Sequence, residues 1–558
     1  MSVRIYYSTS LRELAGKLAD NLAGDRMGTP DPDPFVPAPV MVPNVNLKQW
    51  LQLQIADRRG VTANIEFPFF ENGLWQALCA VDPNPPTFEA NGQQKLRMMD
   101  RSMLHLSVLM WLRDRVEDTD EAIAPFLTYL AADSARYRKL WQLSAQLSAV
   151  FTDYVYHRPA WIRAWCNNQP AACGPGDQHA PIEAAQRALF QGVLGPRGLR
   201  NQLETDTDSQ YRLLAEYAHE VFNRLKAPPP AGTILPLHIF GMSRISPIHA
   251  DCLFRLGQFI DVNLYQFSVC CEFWEDIETT QQERFKRIRA LRRDTERPAA
   301  TDAAVEETPM PERPELNLDP LENPLLKAWG HAGRETLVLL GECEERWPGA
   351  QCETTWLPEG ETVPPEGTSV LSRLQYRVRS RQRGAPVTSP DPSLQIVACP
   401  SIYREVEAVY NSIIQNILED EELKLTDIAV LVTDMASYKP VIEYVFDGGR
   451  QVPYNLVDSS AAMESIYGQA VLALLALADG DFTRKEVFQV ILNPCFLSGV
   501  RACREDALQW LEWADKLGIY RNFGETPADD SAAPPPFTWE QGLKRLRFGR
   551  IMDPAGPA

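Results

Sequence analysis

An ATP-driven motor needs a phosphate-cradling loop, G-x-x-x-x-G-K-[ST], after the first core strand, because glycine backbone wraps the phosphates while the Lys and the hydroxyl reach the phosphates and Mg²⁺. The corresponding stretch here is Met41-Val42-Pro43-Asn44-Val45-Asn46-Leu47-Lys48-Gln49. It holds no glycine, and Lys48 is followed by Gln49 rather than Ser or Thr, so no ATP site is expected there. An acid closing an apolar strand is the usual Mg²⁺ partner of such a loop. Asp434 closes IAVLVTD but precedes Met435, and Asp261 sits inside another apolar run. Both read as ordinary strand-end or loop acids. Glu422-Leu423-Lys424 has the letters of a metal nuclease, in which carboxylates hold Mg²⁺ and a Lys steadies the scissile phosphate. It lies within the charge run LEDEELKLTD and reads as a solvated loop. The 11 cysteines form no C-x-x-C pair and the seven histidines no H-x-H or H-E-x-x-H. No metal site is expected, and the cysteines read as reduced, mostly buried thiols.

Basic stripes flanked by aromatics are present instead. They are Arg136-Tyr137-Arg138-Lys139-Leu140-Trp141, the run RFKRIRALRR ending at Arg293, the cluster Arg373, Arg377, Arg379, Arg381 and Arg383, and Lys544, Arg545, Arg547 and Arg550. Lys and Arg neutralise phosphates and Tyr or Trp stacks on bases. Each stripe alone is equally a solvated helix face or a subunit surface. The chain as a whole carries a net charge of −19 with pI about 5.0, the reverse of a free-standing DNA binder. Contact with DNA would therefore run through local stripes or through a partner.

The elements that must carry these residues alternate at the start. Val3–Tyr7 reads as a strand, Leu11–Leu22 as a helix, Val40-Met41-Val42 as a buried strand, Leu47–Ala56 as a helix and Asn64–Phe69 as a third strand. That alternation predicts a parallel α/β sheet. Helical spacing follows over 93–115, 121–131, 135–156 and 208–225, interrupted by a loop over 167–179. Strands return at Leu235–Gly241 and Ile260–Phe267, with a helix over Pro247–Leu256 between. Residues 294–320, Pro- and acid-rich, read as a solvated linker, and 353–368 and 383–393 are also Pro/Gly-rich. A second α/β pattern begins with strands at Leu394–Ala398 and Ile428–Val432 and helices at Tyr403–Leu418 and Tyr438–Phe446. The organisation expected is 1–90 as the first part of an α/β domain, 91–230 as a helical insertion, 231–385 as its remainder, and 386–558 as the start of a second, incomplete domain. The chain of 558 residues has room for roughly three to five domain-sized units. No run of about 18 apolar residues and no signal-peptide layout appears, so a cytoplasmic protein is expected.

Several blocks, in order, resemble the RecC family, the gamma subunit of exodeoxyribonuclease V. They are RIYYSTSLREL, MVPNVNLKQWLQLQIADRRGVTANIEFPFFENGLW, KLWQLSAQLSAVFTDYVYHRPAWIRAW, IFGMSRISP, ENPLLKAWGHAGRE, YREVEAVYNSI and TDIAVLVTDMASYKPVIEYVF. The resemblance runs from residue 3 to about 549. It implies a superfamily-1 helicase-like fold whose ATP site is degenerate, with large helical insertions. It also implies a subunit with no active site and no cofactor of its own, which clasps RecB and RecD in a heterotrimer whose partner subunits use ATP and Mg²⁺. Such a subunit splits duplex DNA ends, threads the single strands and reads the recombination signal Chi. The family continues past the last residue here, with the rest of the second motor-like domain and a nuclease-like domain.

Residue by residue, the resemblance matches Trp75 to an aromatic position lining the Chi-reading tunnel. Leu130-Ala131-Ala132-Asp133-Ser134 matches a stretch with a Leu and paired acids, Leu130 and Asp133 being retained and Ala132 standing for the other acid. Arg136 or Arg138 matches a tunnel arginine. Two other readings compete. An AddB-type subunit with its own nuclease would need a phosphate loop near residue 43 and a cysteine cluster for an iron–sulfur centre, and neither is visible. A structural interaction protein would bind no DNA at any salt concentration.

Overall fold

The computed structural model describes residues 2–28, 36–87, 95–116, 121–130, 136–171, 179–207, 209–227, 229, 235–272, 274, 275, 277, 323–357, 369–384, 391–449, 452–456, 465–478, 480–524 and 537–549. The basic run ending at Arg293 and the 294–320 linker lie outside them. Contacts divide the chain into two units, 1–394 and 395–558.

The first unit is α/β. Its strands β1 (Ser2–Ser8), β2 (Ala38–Met41), β3 (Ile65–Glu66), β6 (Leu237–Phe240), β7 (Val262–Phe267) and β8 (Gln351–Trp356) form one parallel sheet in the order β3-β2-β6-β7-β1-β8. β1 is an interior strand, one in from the β8 edge, and Val3, Ile5, Tyr6 and Tyr7 are all buried, as expected where helices cover both sheet faces. One face packs under α1 (Leu11–Gly28) and α2 (Val45–Arg59), through Leu14, Leu18, Leu51 and Ile55. The other packs against α3 (Phe70–Val81) and later helices.

Between α3 and β6 the chain leaves the sheet and builds a helical insertion. It comprises β4 (Leu96–Met98), α4 (Arg101–Arg113), α5 (Ala124–Leu130), α6 (Arg136–His157), α7 (Pro159–Cys166), α8 (Ala180–Leu194), α9 (Leu199–Thr207), β5 (Gln210–Arg212) and α10 (Leu214–Arg224). Phe151, Trp165, Leu189, Phe190 and Val193 are the centre of its own core. After it come α11 (Pro247–Leu256), α12 (Pro324–Trp329), α13 (His331–Arg346) and, following β8, α14 (Val370–Arg379).

Three expectations are corrected. The helical stretches 93–115 and 208–225 each open with a strand, because Leu96–Met98 and Gln210–Arg212 pair in parallel. The strands expected at Leu394–Ala398 and Ile428–Val432 do not form. Both segments lack strand pairing among the described residues, and Ile396 and Leu431 are 94% and 93% exposed. An apolar run becomes a strand only where a neighbour accepts its ladder bonds. The thiols are mostly not buried: all ten described are free, but only Cys252, Cys270 and Cys343 are buried.

The second unit is helical in its described residues. Helices Ile402–Glu419 and Met435–Gly449 share a small core around Tyr410, Ile413 and Phe446. Helix Ile466–Ala478 (IYGQAVLALLALA) has no buried residue, and Leu474 and Leu475 are 59% and 63% exposed. Among the described residues no helix is long and apolar enough to cross a membrane.

Candidate nucleic-acid interface

The chain moves outward across the sheet from β2 to β3 and returns in the opposite direction from β6 to β7, so the order reverses between β2 and β6. The crevice beyond the carboxyl ends of strands at such a reversal is where open α/β sheets bind ligands. Here it opens into a cavity of about 1030 Å³.

Local chemistry shapes its floor. After β2, Pro43 offers no N–H, and Asn44 caps α2 with its side chain, accepting from the Leu47 amide at 2.8 Å. One amide of the helix N-terminus that would greet a phosphate is thus already taken by its own chain. β6 ends at Gly241, whose φ of +67° is left-handed and where a Cβ would lie 2.7 Å from the Leu47 methyl. A larger residue would be strained there and would push Leu47 aside. Ser246 then caps α11, accepting from the His249 amide at 3.3 Å. Gly73 lets α3 press on β2, since a Cβ would meet Met41 at 2.7 Å.

The walls are aromatic and imidazole rings. His249 is 7% exposed, edge-on to Phe70 at 5.0 Å and tilted against Tyr156 at 4.8 Å. The Tyr156 hydroxyl donates to Glu71 at 2.7 Å. Burial, then the carboxylate of Glu71, keep that phenol protonated. Burial, then the charge of nearby His157, lower His249 to about 4. His249 is therefore a neutral ring at neutral pH, with an Nε2 that has no partner. At the rim Phe69 is 49% and Trp329 79% exposed, and Arg244 is also exposed. Among the described lining residues no nucleophile–base pair is present, and Glu71 accepts from Tyr156. The arrangement offers faces for stacking, a cation for phosphate, and neutral donors and acceptors for base edges.

The His249 shift has a consequence for stability. Between pH about 6.5 and about 4 the unfolded chain takes up a proton that the folded ring refuses, so stability falls with pH across that window. The loss is on the order of 3 kcal/mol. Urea unfolding at both ends of the window is expected to show a smaller acid loss in His249→Phe than in the unsubstituted chain; equal losses would sink this assignment.

The residues expected from sequence are spread over three places. Trp75 is buried, tilted against Tyr217 at 4.5 Å with Leu74 and Leu78 beside it, one turn beyond the part of α3 that lines the cavity. Leu130, 1% exposed, ends α5 in the insertion core. Asp133 lies outside the described residues, and Arg136 begins α6. Arg138 is exposed on that first turn, near Tyr137 (81% exposed) and Trp141 (51%). α6, about 33 Å long at 1.5 Å per residue, carries this basic, aromatic stripe at one end and Tyr156 and His157 of the cavity at the other. Of the other stripes, Arg373, Arg377 and Arg379 ride on α14, and Lys544 pairs with Glu540 at 2.7 Å.

The sequence reading missed Phe69, Tyr156, Arg244, His249 and Trp329 as a site. A signal existed. Four blocks carrying the family resemblance each supply part of the wall: Phe69 to Asn72, Tyr156 and His157, Met242 to Pro247, and Trp329 to Glu335.

Known proteins match the chain over nearly all of its length. The family described as "RecC, N-terminal domain" matches residues 3–381, and "RecBCD enzyme subunit RecC fourth domain" matches 464–558. The RecBCD enzyme subunit RecC of Haemophilus influenzae is 26% identical over 573 residues, covering 98% of this chain and 48% of its own length. That of Escherichia coli is 25% identical over 588 residues, covering 99% and 48%. That of Mycolicibacterium smegmatis is 22% identical over 504 residues, covering 85% and 39%. The chain spans about half the length of the first two relatives.

Proposed function

Because the chain belongs to the RecC family, we propose that it serves in the non-catalytic, DNA-handling subunit of exodeoxyribonuclease V, the RecBCD helicase–nuclease. In this reading it holds RecB and RecD, which use ATP and Mg²⁺, and helps split duplex ends in the cytoplasm during double-strand break repair. It guides the single strands and reads Chi with bases presented to the cavity at the β2–β6 reversal. The observation that carries the reading is the meeting of four family-resembling segments, drawn from residues 43 to 335, around one ring-lined cavity. A superfamily-1 helicase-like ancestry with a degenerate ATP site is supported by the parallel sheet and by the self-capped start of α2.

The stripe at the start of α6 is proposed to meet the strand's phosphates. Each phosphate neutralised on a single strand adds about 0.7 to the slope of log affinity against log salt. Arg136→Ala with Arg138→Ala is expected to lower that slope by about 1.4 in a complex assembled with RecB and RecD from the same genome. An unchanged slope would remove the stripe from the DNA path. Failure of the chain to co-purify with either subunit, where a full-length relative succeeds, would overturn its role as a binding scaffold.

A further inference from the structure

Toward the opposite edge of the sheet, the ends of β1 and β8 frame a second, smaller cavity of about 230 Å³. Tyr7 and Trp356 stack across neighbouring strands with centroids 5.2 Å apart and planes 25° from parallel. Trp274, 2% exposed, forms another wall. The benzo end of its indole is turned to Gly330 and Gly333, where added Cβ atoms would meet it at 2.6 and 3.2 Å. Its indole N–H is buried without an acceptor. Three carboxylates, Glu272, Glu275 and Glu344, line the same space. No ion pair joins any of them to a described residue; Glu344 is hydrogen-bonded to the Cys352 thiol. Burial and the surrounding negative field, led by Glu275, hold the Tyr7 phenol well above its ordinary range, so the group stays neutral beside them.

We propose that this cavity takes the cationic side chain, arginine or lysine, of an extended segment of a partner protein. Aromatic faces attract cations, more strongly where water is displaced. Carboxylates add charge-assisted hydrogen bonds, which a guanidinium or ammonium satisfies. An anion, nucleic acid included, is repelled by the three acids. A metal ion is disfavoured because the described residues hold no ligand cluster able to bind one. The volume lies below the roughly 300–1,000 Å³ of pockets for drug-sized molecules and suits a single side chain. The apolar Ile5, Leu337 and Leu340 also line the space and suit the aliphatic stem of such a side chain, whereas a free polyamine would lay a second ammonium against them. The site is distinct from the cavity at the β2–β6 reversal and does not depend on the role proposed for it.

The test is calorimetric titration of the full chain with the blocked tripeptide acetyl-Gly-Arg-Gly-amide, followed in parallel by tryptophan fluorescence. Saturable binding is expected, weakened at least tenfold by Glu275→Gln with Glu344→Gln, a pair that preserves shape and leaves the chain strongly acidic. Trp356→Ala is expected to weaken it as well, and added salt to weaken it in the unsubstituted chain. 1,4-Diaminobutane is expected to bind more weakly than the tripeptide despite its higher charge. Absence of saturable binding, equal binding by the double variant, or tighter binding of the diamine would each overturn the proposal.

Discussion

Single-stranded DNA is expected to bind at least 30-fold more weakly to the assembled complex when Phe69→Ala and Trp329→Ala are combined. Stacking of a base on an aromatic side chain is worth about 1–3 kcal/mol, so two lost platforms remove at least about 2 kcal/mol. Both rings stand at the rim, 49% and 79% exposed, where truncation costs the fold little. The measurement is fluorescence anisotropy of a labelled oligothymidine at one fixed salt concentration, with thermal unfolding as the control for folding. Thymidine stacks without base-specific contacts, so the effect isolates the platform from any reading of sequence. Affinity within twofold of the unsubstituted complex would place the DNA path elsewhere.

Trp165→Ala is expected to destabilise the first unit by about 3–5 kcal/mol, the usual cost of emptying a large aromatic site. The indole is 1% exposed, within 6.0 Å of the Phe151, Tyr154 and Phe190 rings, and its N–H donates to Glu183 at 2.7 Å. Glu183, itself 7% exposed, keeps the Ala171 amide and Arg187 at 3.5 Å, so the substitution removes one hydrogen bond from a buried carboxylate as well as opening a cavity. Denaturant unfolding gives the magnitude. Limited proteolysis locates it, and new cleavage is expected between α4 and α9. Trp165→Phe keeps most of the packing but not the hydrogen bond, and should fall between the two. A loss under 1 kcal/mol for the alanine variant would mean that the insertion has no single cooperative core.

β1, β2, α1 and α2 were legible because strands buried on both faces read as plain apolar runs and their helices show one apolar stripe each, whereas the strand expected over Asn64–Phe69 is only the unburied pair Ile65–Glu66. β8 was not, since QCETTW is an exposed edge strand whose polar residues show neither an apolar run nor alternation. β4 and β5 were absorbed into neighbouring helices because three residues are too few to show a period. Leu394–Ala398 and Ile428–Val432 show the opposite failure: their composition is that of strands, but pairing is a property of neighbours, and none is present among the described residues. The absent phosphate loop could be read letter by letter. The cavity could not, because Phe69, Tyr156, His249 and Trp329 are unexceptional singly and acquire meaning only when the sheet reversal brings them together. Trp75 illustrates the limit of residue-by-residue transfer, for a helix position fixes a spacing but not which way the ring faces.

The second unit's exposed apolar surface bears on how much of this protein a cell would keep. Ile396, Leu431, Leu474 and Leu475 lie open to water, on segments whose composition belongs in an interior. A fold left in that state is stabilised by mass action, with the logarithm of the concentration of whatever covers it. An orphan copy would show such surface to chaperones and proteases, while an assembled one would hide it. Abundance would then follow that of the covering partner, and degradation of the surplus would set the copy number without any dedicated regulator.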